Sequence, residues 1–83
     1  MLAKIHVTFK DGVLDPQGKA VHHALADLGY KEVQAVNIGK YMEIRLADGI
    51  SEDEAQSRIE EMCDKLLTNP IIESYRFTLA PSE

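Results

Sequence analysis

Residues 2–10 alternate between apolar and polar: Ala3, Ile5, Val7 and Phe9 fall on one side, Lys4, His6, Thr8 and Lys10 on the other. That period of two predicts a half-buried β-strand. Asp11-Gly12 signals a turn. Asp15-Pro16 then predicts a helix start, because the Asp15 carboxylate can accept from free N–H groups and Pro16 sits where no amide proton is needed. Between that start and Gly29, Ala20, Val21, Ala24, Leu25 and Leu28 recur at helical spacing, an apolar stripe suited to a sheet, with His23 nearly opposite.

Residues 33–38 read as a strand, Gly39-Lys40 as a turn, and residues 41–46 as another strand with Met42, Ile44 and Leu46 on its apolar side, together a hairpin. Ser51 and Glu54 have the spacing of a capping box, each side chain able to satisfy the other residue's backbone N–H. The helix it opens carries Ala55, Ile59, Met62, Cys63, Leu66 and Leu67 as its stripe and should end near Thr68-Asn69-Pro70, since Pro70 cannot continue it. A last strand places Tyr75, Phe77 and Leu79 on one face and Ser74, Arg76 and Thr78 on the other.

The order β-α-β-β-α-β predicts an α+β, ferredoxin-like fold: a four-stranded antiparallel sheet with two helices on one face. Right-handed crossovers put both helices on the same side. The opposite face, with Lys4, His6, Thr8, Tyr41, Glu43, Arg45, Ser74 and Arg76, is then left without cover from its own chain. A single domain is expected over residues 1–83, without linker or repeat, and residues 80–83 read as a frayed end.

Composition narrows the possible roles. With 83 residues, 45% of them apolar, the chain has a core but a thin one, since a domain this short buries only about 60% of the surface its unfolded form exposes. One cysteine excludes an internal disulfide framework and a multi-cysteine zinc site, so stability must come from packing or from association. A net charge of −5 opposes binding to phosphate backbones, and no nucleic-acid partner is expected. No stretch has the length and apolarity of a bilayer span, and the start does not read as a leader; a cytoplasmic protein with no membrane partner is expected.

Residues able to do chemistry are sparse. Cys63 lies in an apolar helical stripe, which favours a buried structural thiol over a nucleophile. His22 and His23 are neighbours on a helix, about 100° apart, a poor geometry for holding one ion. His6 reads as a solvated strand histidine. Glu52, Asp53, Glu54, Glu60, Glu61 and Asp64 suit a helix start and a solvated face, not an acid–base pair. The glycines are scattered near turns and helix ends rather than gathered into a phosphate loop. No catalytic, cofactor-binding or metal-binding residue is therefore assigned.

Several segments taken together carry a resemblance over residues 1–77. Asp15-Pro16-Gln17-Gly18 precedes the first helix; Asn37-Ile38-Gly39-Lys40-Tyr41-Met42-Glu43 spans the expected hairpin. Glu61-Met62-Cys63-Asp64-Lys65-Leu66-Leu67 and Asn69-Pro70-Ile71-Ile72-Glu73-Ser74-Tyr75 close the second helix and open the last strand. Their sum resembles the PurS family, the small subunit of phosphoribosylformylglycinamidine synthase. The resemblance implies a role in purine biosynthesis, in the conversion of formylglycinamide ribonucleotide to formylglycinamidine ribonucleotide. It also implies two partners, a glutaminase subunit that releases ammonia and a synthetase subunit that activates the substrate amide, with ATP, magnesium and glutamine used by those partners and no cofactor on this chain. A homodimer or tetramer of the small subunit is expected to join them and assist ammonia transfer. Gln17, Lys40, Tyr41, Arg45 and Arg76 are the candidate partner contacts, long polar, aromatic or arginine side chains at a helix start, a hairpin and an open sheet face; solvated surface positions are the competing reading.

Two other roles share this topology. RNA-binding domains stack bases on aromatic side chains of the open sheet face, but here that face offers chiefly Tyr41 and no glycine-aromatic run. A regulatory module binding a small metabolite is the remaining alternative, supported by analogy of fold alone.

Overall fold

The computed structural model describes residues 1–81; Ser82 and Glu83, part of the end expected to fray, lie outside the described residues. The elements run β1 (Leu2–Phe9), α1 (Pro16–Asp27), β2 (Lys40–Arg45), α2 (Glu52–Met62) and β3 (Glu73–Ala80). β1 is the central strand of an antiparallel sheet ordered β2-β1-β3. Its alternation is realised as predicted: Ala3, Ile5 and Val7 are buried and His6 and Lys4 point the other way, each paired across to both neighbours.

Both helix starts form as their caps dictate. Asp15 Oδ1 accepts from the Gly18 N–H at 2.9 Å, and Ser51 Oγ accepts from the Glu54 N–H at 3.1 Å. α2 does not stop at Met62 but widens into a π-helical turn, Cys63–Leu67, closed by the Thr68 N–H donating to the Cys63 carbonyl at 3.0 Å. One extra residue in that turn breaks the period of 3.6. Cys63 stays in the core and Leu67 half in it, whereas Leu66, counted in the apolar stripe by its spacing, is 83% exposed.

The core lies between α2 and one face of the sheet: Ala3, Ile5 and Val7 of β1 against Ile59 and Cys63, with Met42, Ile44, Leu46, Tyr75, Phe77 and Leu79 packed around them. α2 sits towards β3, since Glu52, Gln56 and Glu60 line a hollow with Tyr75, Phe77 and Leu79 and the Tyr75 hydroxyl donates to Asp64 at 3.2 Å.

The expectation of a four-stranded sheet with two helices on one face is corrected in both parts. The sheet has three strands, and no residue of α1 belongs to the core among the described residues. Residues 33–38 carry no regular secondary structure and pair with no strand among the described residues, and the chain passes through Gly39 into β2 without turn or bend, so the expected hairpin is absent. The reason is local. His22 Nε2 donates to the Val33 carbonyl at 2.9 Å, and the Ile38 N–H donates to Asp15 Oδ2 at 2.8 Å, so the segment runs back along α1 instead of along β2. Gly18 permits that approach: a methyl group there would collide with the Val36 carbonyl and with the Asp15 carboxylate. α1 and residues 33–38 thus form an arm. The arm gives the chain extents of 52 × 30 × 14 Å and a radius of gyration of 16.5 Å, against about 12 Å for a compact chain of this length.

Candidate partner interface

Strand register sets out the open sheet face row by row. His6 lies between Tyr41 and Arg76, Lys4 between Glu43 and Thr78, and Leu2 between Arg45 and Ala80. The His6 and Tyr41 rings meet at 4.9 Å between centroids, tilted by 46°. The Tyr41 hydroxyl donates to Glu43 Oε2 at 2.9 Å; that hydrogen bond, with lesser contributions from desolvation and the Glu43 charge, raises the phenol above its ordinary value. Tyr41 is still 50% exposed and presents a ring held from two sides. Three cations, Lys4, Arg45 and Arg76, stand against the single Glu43 carboxylate on this face, a basic patch on a chain of net charge −5.

The five candidate contacts divide between two places. Tyr41 and Arg76 flank His6 on the open face, and Arg45 is on the same face at the far end of β2. Gln17 and Lys40 instead line a hollow of about 240 Å³ where the arm joins the sheet, with Val7, Ile38 and Glu73. There Lys40 Nζ is 3.6 Å from Glu73 Oε2, while Glu73 Oε1 accepts from the Asn69 N–H at 2.8 Å. Lys40 is therefore partly committed within its own chain.

Asp15 carries a role that its cap motif did not reveal. One carboxylate oxygen holds Gly18 at the start of α1 and the other holds Ile38, fixing the arm at its root. The Ile38 N–H first, then those of Gly18 and Gln17, lower its pKa below the usual carboxylate value, against a small opposing effect of burial. Asp-Pro before a helix signals the cap; nothing local signals a partner twenty-three residues on. His6 was likewise not among the candidates, because only the register places it between Tyr41 and Arg76.

The remaining polar groups do not converge on a reacting centre. Cys63 is fully buried, and its thiol is pushed up by burial first and by the Asp64 and Glu60 carboxylates second, the opposite of an activated nucleophile. His22 is bound to the Val33 carbonyl. Among the described residues no group of three or more His, Cys, Asp or Glu could hold a metal ion, and no helix is long and apolar enough to cross a membrane. What these residues can offer is surface: a ring, an imidazole and a guanidinium in one row, flanked by cations.

Known proteins resemble the chain over nearly its whole length. The family model described as "PurS: Phosphoribosylformylglycinamidine (FGAM) synthase" matches residues 2–81. Phosphoribosylformylglycinamidine synthase subunit PurS of Bacillus subtilis (strain 168) is 50% identical over 74 residues, 89% of this chain and 86% of that protein. The crystal structure of Methanocaldococcus jannaschii PurS has a TM-score of 0.85 at 34% identity, covering 99% of this chain and 98% of that one, arm included. A chain in the structure of PurLQS from Thermotoga maritima, at 22% identity, has the same fold with a TM-score of 0.71 over 94% of this chain and 96% of that one.

Proposed function

Because this chain belongs to the PurS family of phosphoribosylformylglycinamidine synthase subunits, we propose that it is the non-catalytic member of that complex, a spacer that holds a glutaminase and an ATP-dependent synthetase in one orientation. The observation that carries the reading is the match of nearly the entire chain to a family of subunits, in a fold whose polar groups gather on an open surface and whose one thiol is shut in the core. A domain of this kind contributes by positioning. Two active sites held face to face replace a bimolecular search by ammonia with a confined transfer, which raises its effective concentration at the acceptor. Ammonia lost to water would be protonated and no longer nucleophilic.

In this reading the chain acts in the cytoplasm as a homodimer or tetramer, and ATP, magnesium and glutamine are handled by the other subunits. Tyr41, Arg76 and Arg45 on the open face are proposed to meet an acidic surface of a partner, and Gln17 and Lys40 to meet a second surface at the root of the arm. A basic patch within an acidic chain favours an orientation in which that face leads the encounter.

The test reconstitutes glutaminase and synthetase with and without this chain and compares glutamine with an ammonium salt as nitrogen source. Omission is expected to cripple the glutamine-driven reaction far more than the ammonium-driven one. Equal glutamine-driven rates in the two mixtures overturn the proposal.

A further inference from the structure

Three features coincide on the outer flank of β3, and the first is main-chain. The Lys10 N–H donates to the Ile72 carbonyl at 2.8 Å, and the same register continues through Thr8 with Ser74, His6 with Arg76 and Lys4 with Thr78. In an antiparallel pair, residues that exchange hydrogen bonds alternate with residues whose main-chain groups face away. The N–H and C=O groups of Tyr75, Phe77 and Leu79 therefore face outward, along an edge that no strand of the described residues covers. Such an edge is a template for one more strand.

The second feature is a groove. Tyr75, Phe77 and Leu79 are half-buried and line a hollow of about 390 Å³ with Glu52, Gln56 and Glu60 of α2. Leu79 and Glu52 also belong to a hollow of about 400 Å³ at one end, and Tyr75 to one of about 280 Å³ at the other, so the groove follows β3 along its length. At the Tyr75 end it is lined by Thr68, 6% exposed, whose hydroxyl has no hydrogen-bond partner among the described residues. Buried hydroxyls ordinarily have one, and here the partner is missing beside the groove.

The third feature is charge at a matching pitch. Glu52, Gln56 and Glu60 are four apart on one side of α2 and advance about 6.0 Å at each step. Alternate side chains of a strand advance about 6.6–6.8 Å. α2 and β3 run in opposite directions, since Glu52 shares a hollow with Leu79 and Asp64 accepts from the Tyr75 hydroxyl. Glu52 thus stands at the Leu79 end and Glu60 towards Tyr75, and neither carboxylate has an ion pair among the described residues.

We propose that the free edge of β3 docks an extended segment of a different polypeptide, one that carries two basic side chains four residues apart. The segment lies beside β3 as a further strand, its main chain hydrogen-bonded to Tyr75, Phe77 and Leu79. One cation meets Glu60 across from Tyr75, the other meets Glu52 across from Leu79, and the residue midway faces Gln56. A second copy of this chain does not carry that pattern: among its nine lysines and arginines no two stand four residues apart. The groove is separate from the open face and from the root of the arm, so this assignment and the contacts proposed there stand or fall independently.

The test titrates the isotope-labelled full chain with the blocked peptide Thr-Arg-Thr-Val-Thr-Arg-Thr and with an isomer whose two arginines are adjacent. Saturable binding of the first peptide is expected, with amide shifts largest at Tyr75, Phe77 and Leu79 and small at Ser74, Arg76 and Thr78. The isomer should bind about tenfold more weakly, the combined worth of two exposed ion pairs. Glu52→Lys with Glu60→Lys should weaken the arginine peptide by about the same factor and create binding of its counterpart with glutamates in place of the arginines, a rescue that a merely structural role would not give. If that double variant fails to fold, the comparison of the two isomers on the unaltered chain decides. No saturable binding, equal binding of the isomer, or shifts centred elsewhere overturns the proposal. So does protection of the Tyr75, Phe77 and Leu79 amides in the free chain that fades on dilution, which would seat a second copy on the edge.

Discussion

Ile59 is fully buried at the centre of the core, between Ala3, Ile5, Val7 and Cys63, and its truncation measures how much of the fold rests on α2. Ile59→Ala removes three carbons, a transfer loss of roughly 2.4 kcal/mol at about 0.8 kcal/mol each. If about 40 Å³ of the vacated space stays empty, a cavity term near 24 cal/mol per Å³ adds about 1 kcal/mol. The sum, about 3–4 kcal/mol, lies inside the 2–5 kcal/mol range of such substitutions. For a chain this size total stability is about 4–12 kcal/mol, so the loss is about a quarter of it at least. In thermal unfolding it corresponds to a drop of roughly 15–30 °C. Urea titration followed by far-ultraviolet circular dichroism reads it directly, with wild type and variant at one concentration because association adds to apparent stability. Leu66→Ala, on the same helix but 83% exposed, is the control and should cost less than about 0.5 kcal/mol. A loss below about 1 kcal/mol at Ile59, or an equal loss at Leu66, would refute the assignment of the core.

Three further outcomes are expected. Cys63, buried and with its thiol pushed up, should resist an aromatic disulfide reagent in native buffer and react at once in denaturant; rapid stoichiometric labelling of the folded protein would contradict that burial. Asp15 has its folded pKa lowered by the Ile38 and Gly18 N–H groups, so its contribution is present above the unfolded carboxylate value and is lost as pH falls through the folded one. The wild-type advantage over Asp15→Asn should therefore be full near neutrality and shrink below about pH 4; an advantage independent of pH would show that the charge of Asp15 is not what holds the arm. Tyr41→Ala and Arg76→Ala should each weaken capture of the other subunits about tenfold or more, as interface anchors do, with the unfolding midpoint of the free chain nearly unmoved; unchanged capture would remove the open face from the interface.

The amino-acid sequence alone determined whatever depends on near neighbours. A period of two in residues 2–10 and 73–79 means a strand with one buried face wherever it is placed, and Asp15-Pro16 and Ser51 with Glu54 start helices because a cap acts within one turn. The open face was legible for the same reason, since alternation assigns each residue to a side. Pairing is a different matter. Residues 33–38 have the pattern of a strand but form none, because what such a segment pairs with is settled by distant groups, here Asp15 and His22, which bind its two ends to α1. The stripe of α1 is likewise real, but among the described residues none of it joins the core that α2 makes with the sheet. Tertiary structure alone decided that β2 is an edge strand among the described residues, that Lys40 is drawn to Glu73, and that His6 stands between Tyr41 and Arg76. Local periodicity gives every residue a direction, but contacts between segments far apart in the chain decide what lies in that direction.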